Sequence, residues 1–332
     1  MRTNFGEHLI KEIFMTIKKL AMIGLASSLA FGNVVAQETT GSASTSTTST
    51  EKTLGNKVKG DIDEEITNAR MRAANGSKSK ISASLGLGYT GSSLKRPFDG
   101  IRPNLSGTAQ DQSSSQFSSS LSGRYRINQS QSITAGIGVQ ILQPFQKNEN
   151  LETNNDNLKR ANEVNIQNPS IAWSSSYKIG DYQAASSVDY TQFTNEITKT
   201  GGLAGYTSLN QTFMKSWGTS GFSSGIAASL TQYILNSNSS EGNSRRDFGL
   251  YPMAEYQIND TFVARTVFGY FNYTNTGLDS ATAFRRTYEY QSIGLGIVAS
   301  RNVWIYPNIQ FVPDELEAGF TNVSISATIN LF

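Results

Sequence analysis

The chain has 332 residues, 37% of them hydrophobic, and a formal net charge of +2; it is long enough for one large domain or two small ones. It contains no cysteine, and its single histidine, His8, precedes the predicted start of the mature protein. The mature chain therefore lacks thiol nucleophiles, disulfides, Cys/His zinc sites and every nucleophile that a histidine activates.

Residues 1–36 are predicted to be an upstream extension and a signal peptide. Their apolar stretch, residues 20–32, follows two lysines and is about half to two thirds as long as a membrane-spanning helix. Val34 and Ala36 occupy the small-residue positions before a cleavage site, so the mature chain should begin at Gln37. Cleavage removes four of the 28 basic and two of the 26 acidic side chains. The mature chain is then formally neutral, which gives no indication of nucleic-acid binding.

The segment between the signal and residue 80 is predicted to be a periplasmic linker with a short helix, over residues 37–79. Residues 37–53 consist mainly of Ser, Thr, Gly and Glu, a composition typical of disorder. Residues 61–74 place acids early and arginines late, with apolar residues at helical spacing, and Asn75-Gly76 is a typical helix stop.

From residue 80 onward apolar residues alternate with small or polar ones, the period of a two-faced β-strand. Including one stretch of ambiguous phase, residues 204–214, the pattern gives about twelve strands. The predicted fold is therefore all-β, a transmembrane antiparallel β-barrel over residues 80–332. The predicted strands are 81–89, 117–127, 133–141, 171–179, 182–190, 204–214, 222–234, 248–258, 262–270, 293–299, 303–311 and 321–331.

The connections between these strands alternate in length. Short turns are predicted at residues 128–131, 180–181, 259–260 and 300–302, and longer polar loops at 91–114, 142–168, 195–202, 236–246 and 275–284. This asymmetry is expected when one rim faces the periplasm and the other the cell exterior. A soluble β-sandwich is the structural alternative, because single short strands look alike in both classes.

The signal, the alternating strands, the unequal loops and a terminal Phe332 together resemble the outer-membrane β-barrel class of Gram-negative bacteria, without indicating a family within it. The resemblance implies a location in the outer membrane, contact with its lipid and lipopolysaccharide, and insertion by the barrel assembly machinery. Phe332 is out of register with the outward apolar residues of the last strand, so we expect it to leave the ladder and turn outward.

Outward positions near the strand ends carry aromatic residues, which favour the membrane interface. A stacking platform for sugars or bases is the competing interpretation. The candidates are Tyr125, Tyr177, Tyr182, Phe222, Tyr256 and Phe262 near the periplasmic ends, and Tyr89, Trp173, Tyr190, Phe248 and Tyr270 near the outer ends.

The opposite, inward face is rich in Ser, Gly and Thr and suits a wet interior. If the turn at residues 259–260 keeps both faces in phase, Glu255 lies directly opposite Arg265. That pair could be structural or part of a constriction that selects solutes by charge. The candidate lumen charges are Arg124, Arg126, Lys178, Asp189, Glu255 and Arg265. The short helix could also enter the lumen, with its acids docked on the four basic members of this set.

Passive diffusion of small polar solutes is the first functional hypothesis. The second is a structural or surface-interaction barrel with a filled lumen, serving adhesion, phage attachment or envelope maintenance. A carboxylate-dependent hydrolase is the third, because Asp314, Glu315 and Glu317 lie together in the last loop; a solvated acidic loop that binds divalent cations to lipopolysaccharide is the simpler interpretation. No cofactor, bound metal or nucleic-acid partner is predicted.

Overall fold

The computed structural model describes residues 66–102, 113–146, 162–194, 196–278, 283–287 and 289–331. The predicted signal peptide, most of the predicted linker, residues 61–65 of the predicted helix and Phe332 lie outside the described residues. No helix within the described residues is long and apolar enough to cross a membrane.

Twelve strands form one closed antiparallel barrel, which confirms the predicted fold class and strand count. Each strand pairs with the next in sequence, and β1 pairs with β12 to close the barrel. The strands are β1 Ile81–Ser93, β2 Gln116–Arg126, β3 Gln131–Leu142, β4 Glu163–Ile179, β5 Tyr182–Gln192, β6 Leu203–Ser216, β7 Phe222–Leu235, β8 Ser244–Gln257, β9 Phe262–Phe268 continued by Phe271–Thr276, β10 Gln291–Ser300, β11 Val303–Phe311 and β12 Asn322–Asn330.

Helix α1, Ala69–Ala74, precedes the barrel, and helix α2, Glu196–Thr200, lies between β5 and β6. Two two-residue strands, Ile101–Arg102 and Ser113–Ser114, pair with each other. A third, Arg285–Arg286, pairs with the second part of β9, and a 3-10 turn spans Pro313–Glu315.

The two faces of the barrel differ as the period-two pattern predicts. In β2, Leu121 faces Leu85 on β1 and Ile137 on β3, and its side chain is 53% exposed on the outer surface. The neighbouring position, Ser120, belongs to the inward face. An apolar outer surface around a polar interior is the arrangement of a barrel that crosses a membrane.

The short turns all lie at one end of the barrel and the long connections at the other, as predicted. The loop predicted at residues 142–168 is shortened most, because β4 begins at Glu163. Val164 and Ile166 are outward and pair with β3, but a bulge follows them, and below it Ile171 is outward instead. The bulge shifts the alternation of apolar and polar residues by one position. The sequence pattern of residues 163–179 therefore does not predict a single continuous strand.

Strand β9 is broken between Phe268 and Phe271, which corrects the predicted strand at residues 262–270. Tyr270 therefore occupies a break and not an outward strand position. Its ring lies 5.7 Å from that of Phe268, and its carbonyl oxygen accepts a hydrogen bond from Arg286. The broken ladder lets Phe268 pair with β10 and Phe271 pair with β8.

Helix α1 is shorter than the predicted helix because Asn68 caps it. The Asn68 side chain accepts a hydrogen bond of 2.9 Å from the Met71 amide, and residues 66–68 are not helical. The predicted stop is confirmed, since Asn75 is the C-cap and Gly76 has φ +65°. A helix of six residues is not stable alone, so contacts with the barrel must hold it.

Candidate functional site

Helix α1 lies inside the barrel, at the end that carries the short turns. Ile66 and Met71 pack against Met214, Met253 and Val267, which all face inward. The residues that pack around Ala73 are Val263, Val298, Trp304 and Tyr306, also inward. Residues 66–77, here called the plug segment, therefore occupy the lumen near the end that carries the short turns.

The plug segment is held by a buried carboxylate of the barrel. Glu255 accepts hydrogen bonds from Asn68 Nδ2 at 2.6 Å, from Arg70 Nε at 3.2 Å and from Arg265 Nε at 3.1 Å. The three charged side chains are at most 9% exposed. The Arg265 guanidinium also lies 5.2 Å from the centre of the Tyr306 ring.

This arrangement places two arginines on one carboxylate, so Glu255 is needed by both the plug and the barrel wall. A buried ion pair adds little stability by itself, because desolvation offsets the attraction between the charges. Removing one partner is different, since it leaves a buried charge uncompensated at a cost of roughly 3–5 kcal/mol. Glu255 is therefore the residue on which the position of the plug segment depends most.

Further polar contacts fix both ends of the plug segment. Gln183 on β5 accepts from the Asn68 amide at 2.7 Å and donates to the Thr67 hydroxyl at 2.9 Å. At the other end Arg126 donates to the carbonyl oxygen of Asn75 and, at 2.7 Å, to that of Ser77. The carbonyl groups at the end of the helix thus find a cationic partner in the wall.

Residues 66–77 belong to the segment that the sequence analysis assigns to the periplasm, and they lie in the lumen at the barrel end that carries the short turns. The sequence also allowed the acids of the helix to dock on basic lumen residues, and the residues that the structure describes show the reverse pairing. The acid, Glu255, comes from the barrel, and the cation, Arg70, comes from the plug segment. Residues 61–65, which hold the acids of the predicted helix, lie outside the described residues.

The predicted register of the β8–β9 hairpin is confirmed, because Glu255 lies directly opposite Arg265. Arg124 lies beside Gly76, and Lys178 lines a cleft with Thr67 and Gln183 at the rim. Asp189 lies apart from the plug segment and accepts a hydrogen bond from Asn210 at 2.9 Å. The sequence analysis missed Asn68, Arg70 and Gln183. The alternation along β5 does place Gln183 on the inward face, so the sequence could have indicated this residue.

Most of the predicted interface aromatics lie on the outer face, and their location at head-group depth stays a prediction. Trp173 is nearer the middle of β4 than its outer end. Tyr89 is covered by Phe98 and Phe145, with ring centres 6.1 and 5.4 Å away. Tyr177 is hydrogen-bonded to Ser186, and Phe248 stacks on Tyr273. The residues with exposed side chains are Tyr125, Trp173, Tyr182, Tyr190, Phe222, Tyr256 and Phe262.

The acidic residues of the last loop are exposed, with Asp314 and Glu315 in the 3-10 turn and Glu317 after it. The described residues contain no group of three or more His, Cys, Asp or Glu side chains that could hold a metal ion. Nothing in the geometry of this loop distinguishes it from a solvated acidic loop.

We expect Gly76→Ala to loosen the plug segment, with Gly218→Ala as the matched control. Both glycines have φ near +60°, so each substitution costs about 1–2 kcal/mol of backbone strain. Gly76 belongs to the plug segment, and its new Cβ would also displace the guanidinium end of Arg124, whereas Gly218 lies in a wall turn with nothing within 4 Å. Proteolysis of the refolded barrel should cut residues 66–77 faster in Gly76→Ala alone, and equal rates in the two variants would show that strain at Gly76 does not loosen the plug segment.

Comparison with known proteins identifies no family. No protein-family model matches the chain, and no curated protein sequence matches it. Among solved structures it is similar to the KdgM porin in complex with disordered oligogalacturonate, with 8% identity, a TM-score of 0.40 and coverage of 75% of this chain and 99% of that one. An outer membrane channel from Pseudomonas putida F1 is 8% identical, with a TM-score of 0.46 and coverage of 77% of this chain and 98% of that one. Outer membrane phospholipase A from Escherichia coli is 10% identical, with a TM-score of 0.37 and coverage of 77% of this chain and 94% of that one. The closed twelve-stranded antiparallel barrel established by the strand pairing is thus the architecture of the outer-membrane β-barrel class that the sequence resembles.

Proposed function

We propose that this chain is an outer-membrane pore for small polar solutes whose periplasmic end is closed by the plug segment. The observation that carries the proposal is the docking of residues 66–77 on Glu255, Gln183 and Arg126 at one end of a lumen whose wall beyond them is largely polar. The barrel would be inserted by the barrel assembly machinery and surrounded by lipid and lipopolysaccharide. The proposal assigns no catalytic step to the chain.

The lumen beyond the plug segment supports this proposal, because its wall is polar without being strongly charged. Small hydroxyl and amide side chains offer hydrogen bonds to solutes in transit and leave space between the walls. Inward residues of this kind are Ser118, Ser120, Ser122, Gln140, Ser187, Asn210, Thr231, Asn308, Ser324 and Ser326.

The plug segment is also suited to displacement. It is held by a few charged and polar contacts and two small apolar clusters, whereas the barrel is held by a continuous ladder around its circumference. The plug can therefore leave the lumen at a free-energy cost far below that of unfolding the wall. Its chain continues directly into β1, which keeps it at the mouth after release.

A second candidate function is a structural or surface-interaction barrel whose lumen stays filled. The burial of Arg70 and Glu255 favours it, because a permanently docked segment would show the same contacts. The two functions differ in whether the lumen ever conducts.

The refolded mature chain in planar bilayers tests the proposal. We expect brief openings of uniform size separated by long closed periods, since the closed form is the one that the contacts favour. Proteoliposomes carrying the protein should swell in small uncharged polar solutes. Absence of both openings and swelling, in the full chain and in the plug-deleted chain described below, would instead support the filled barrel.

A further inference from the structure

A row of inward side chains crosses five strands in the outer half of the lumen, away from the plug segment. Asp189 on β5 lies opposite Ser208, Ser208 lies opposite Thr231, and Thr231 lies opposite Asp247 on β8. The row ends at Thr274 on β9, and we call these five residues the outer acidic row. The Ser208 and Thr231 hydroxyls are hydrogen-bonded at 2.9 Å between the two acids.

The carboxylate of Asp247 is buried without a well-formed hydrogen bond. Its side chain is among the buried residues, at 7% exposure, and neither oxygen accepts such a bond from a described residue. The Tyr233 and Thr274 hydroxyls lie beside it and are the polar groups that interact with it. Neither hydroxyl carries a positive charge, so a cation placed near this buried carboxylate would be stabilised.

The other acid of the row is accessible. Asp189 is only partly buried, and Asn210 is its hydrogen-bond partner at 2.9 Å. The two carboxylates are three strands apart, about 14 Å at the usual strand spacing, so each can bind a separate charge.

No arginine or lysine of the described residues forms an ion pair with either acid of the row. Arg245, two residues before Asp247, extends towards Gly277 in the following loop. Arg102 lies at the same end of the barrel but donates to the Gly91 carbonyl and the Gln310 side chain, at 2.7 Å each, on the opposite wall.

Aromatic rings flank the row on the side of the outer mouth. Tyr206 and Tyr233 occupy the inward positions immediately above Ser208 and Thr231, with ring centres 6.2 Å apart. Phe193 continues the cluster, 5.6 Å from Tyr206. Aromatic faces attract cations, and this attraction adds to that of a carboxylate.

We propose that the outer acidic row binds the positively charged group of polar solutes that enter from the outer mouth. The inference rests on the proposed pore function and names its solute class, small hydrophilic cations such as amines. An ammonium group supplies the positive charge that both carboxylates lack, and the tyrosine rings stabilise the same charge. A neutral solute of equal size gains neither interaction.

Saturation-transfer NMR on the detergent-solubilised full chain tests this with two probes of matched size, ethanolammonium and ethylene glycol. We expect ethanolammonium to bind roughly tenfold more tightly or better, because charge-assisted hydrogen bonds exceed neutral ones. Asp247→Asn and Asp189→Asn should each reduce that binding, and the double variant should abolish the preference. Asp260→Asn, in an exposed turn, is the control.

Equal binding of the two probes, or a double variant that still prefers ethanolammonium, would overturn the proposal. Heat-modifiable mobility in gels shows whether each variant is folded. If Asp247→Asn does not fold, the binding of ethanolammonium to Asp189→Asn still tests the proposal. The measurement is made at equilibrium without current. A closed barrel that binds ethanolammonium would therefore refute the pore alone, and a conducting barrel that does not bind it would refute the row alone.

Discussion

Deletion of residues 37–76 is expected to convert the barrel into a permanently open pore. The deletion removes Asn68, Arg70 and the apolar side chains that fill the lumen at the end with the short turns, but it leaves the Glu255–Arg265 pair in the wall intact. The barrel should therefore keep its fold while its lumen empties. If the undocked form is populated below about 10% in the full chain, time-averaged conductance should rise about tenfold or more.

A shorter deletion, residues 37–64, is the matched control for this experiment. It removes most of the upstream chain but keeps Ile66 and every described contact of the plug segment. Its conductance should stay at the level of the full chain. An increase of the same size in both deletions would show that the upstream chain, and not residues 66–77, closes the pore. Unchanged conductance in both deletions would show that the plug segment does not close the pore and only links the upstream chain to the barrel.

Glu255→Gln should have the largest effect of any single substitution. The amide cannot neutralise Arg70 and Arg265, which would then lie side by side in a buried site. Loss of one partner of a buried ion pair costs roughly 3–5 kcal/mol, so the docked state should be disfavoured by about a hundredfold or more. Single-channel recordings should show mean open times that approach those of the plug-deleted chain.

Two comparisons isolate the cause of that effect. Glu317→Gln removes a carboxylate from an exposed loop and should leave gating unchanged. Glu255→Gln in the chain that lacks residues 37–76 should add no further conductance, because both changes act on the same plug segment. Additive effects would mean that Glu255 shapes the pore by itself and does not act through Arg70.

The alternating pattern predicted the barrel because each wall residue meets only two environments, the outer surface and the lumen. Leu121 and Ser120 illustrate this, since their faces follow from sequence position alone. The pattern fails where the ladder is irregular. The bulge within β4 and the break around Tyr270 each shift the alternation of inward and outward residues by one position. The period-two pattern of the sequence does not indicate where either shift occurs.

The plug site could not be predicted to the same extent. Glu255 and Arg265 are close in sequence and joined by one hairpin, so their pairing followed from local register. Arg70 is 185 residues from Glu255. No period or turn links two such positions, and the charges of the short helix allowed docking in either polarity.

The sequence by itself determined the class of fold, a strand count of about twelve, the face of most residues in the regular strands and the grouping of the short turns at one end. These features follow from local geometry, because a strand alternates its side chains and a short turn fixes the register of its hairpin. Only the tertiary structure decided that residues 66–77 enter the lumen, that Glu255 holds Arg70, and that Asp189 and Asp247 fall in one row. Those contacts join distant parts of the chain, and barrel closure brings them together by setting the order and stagger of all twelve strands at once.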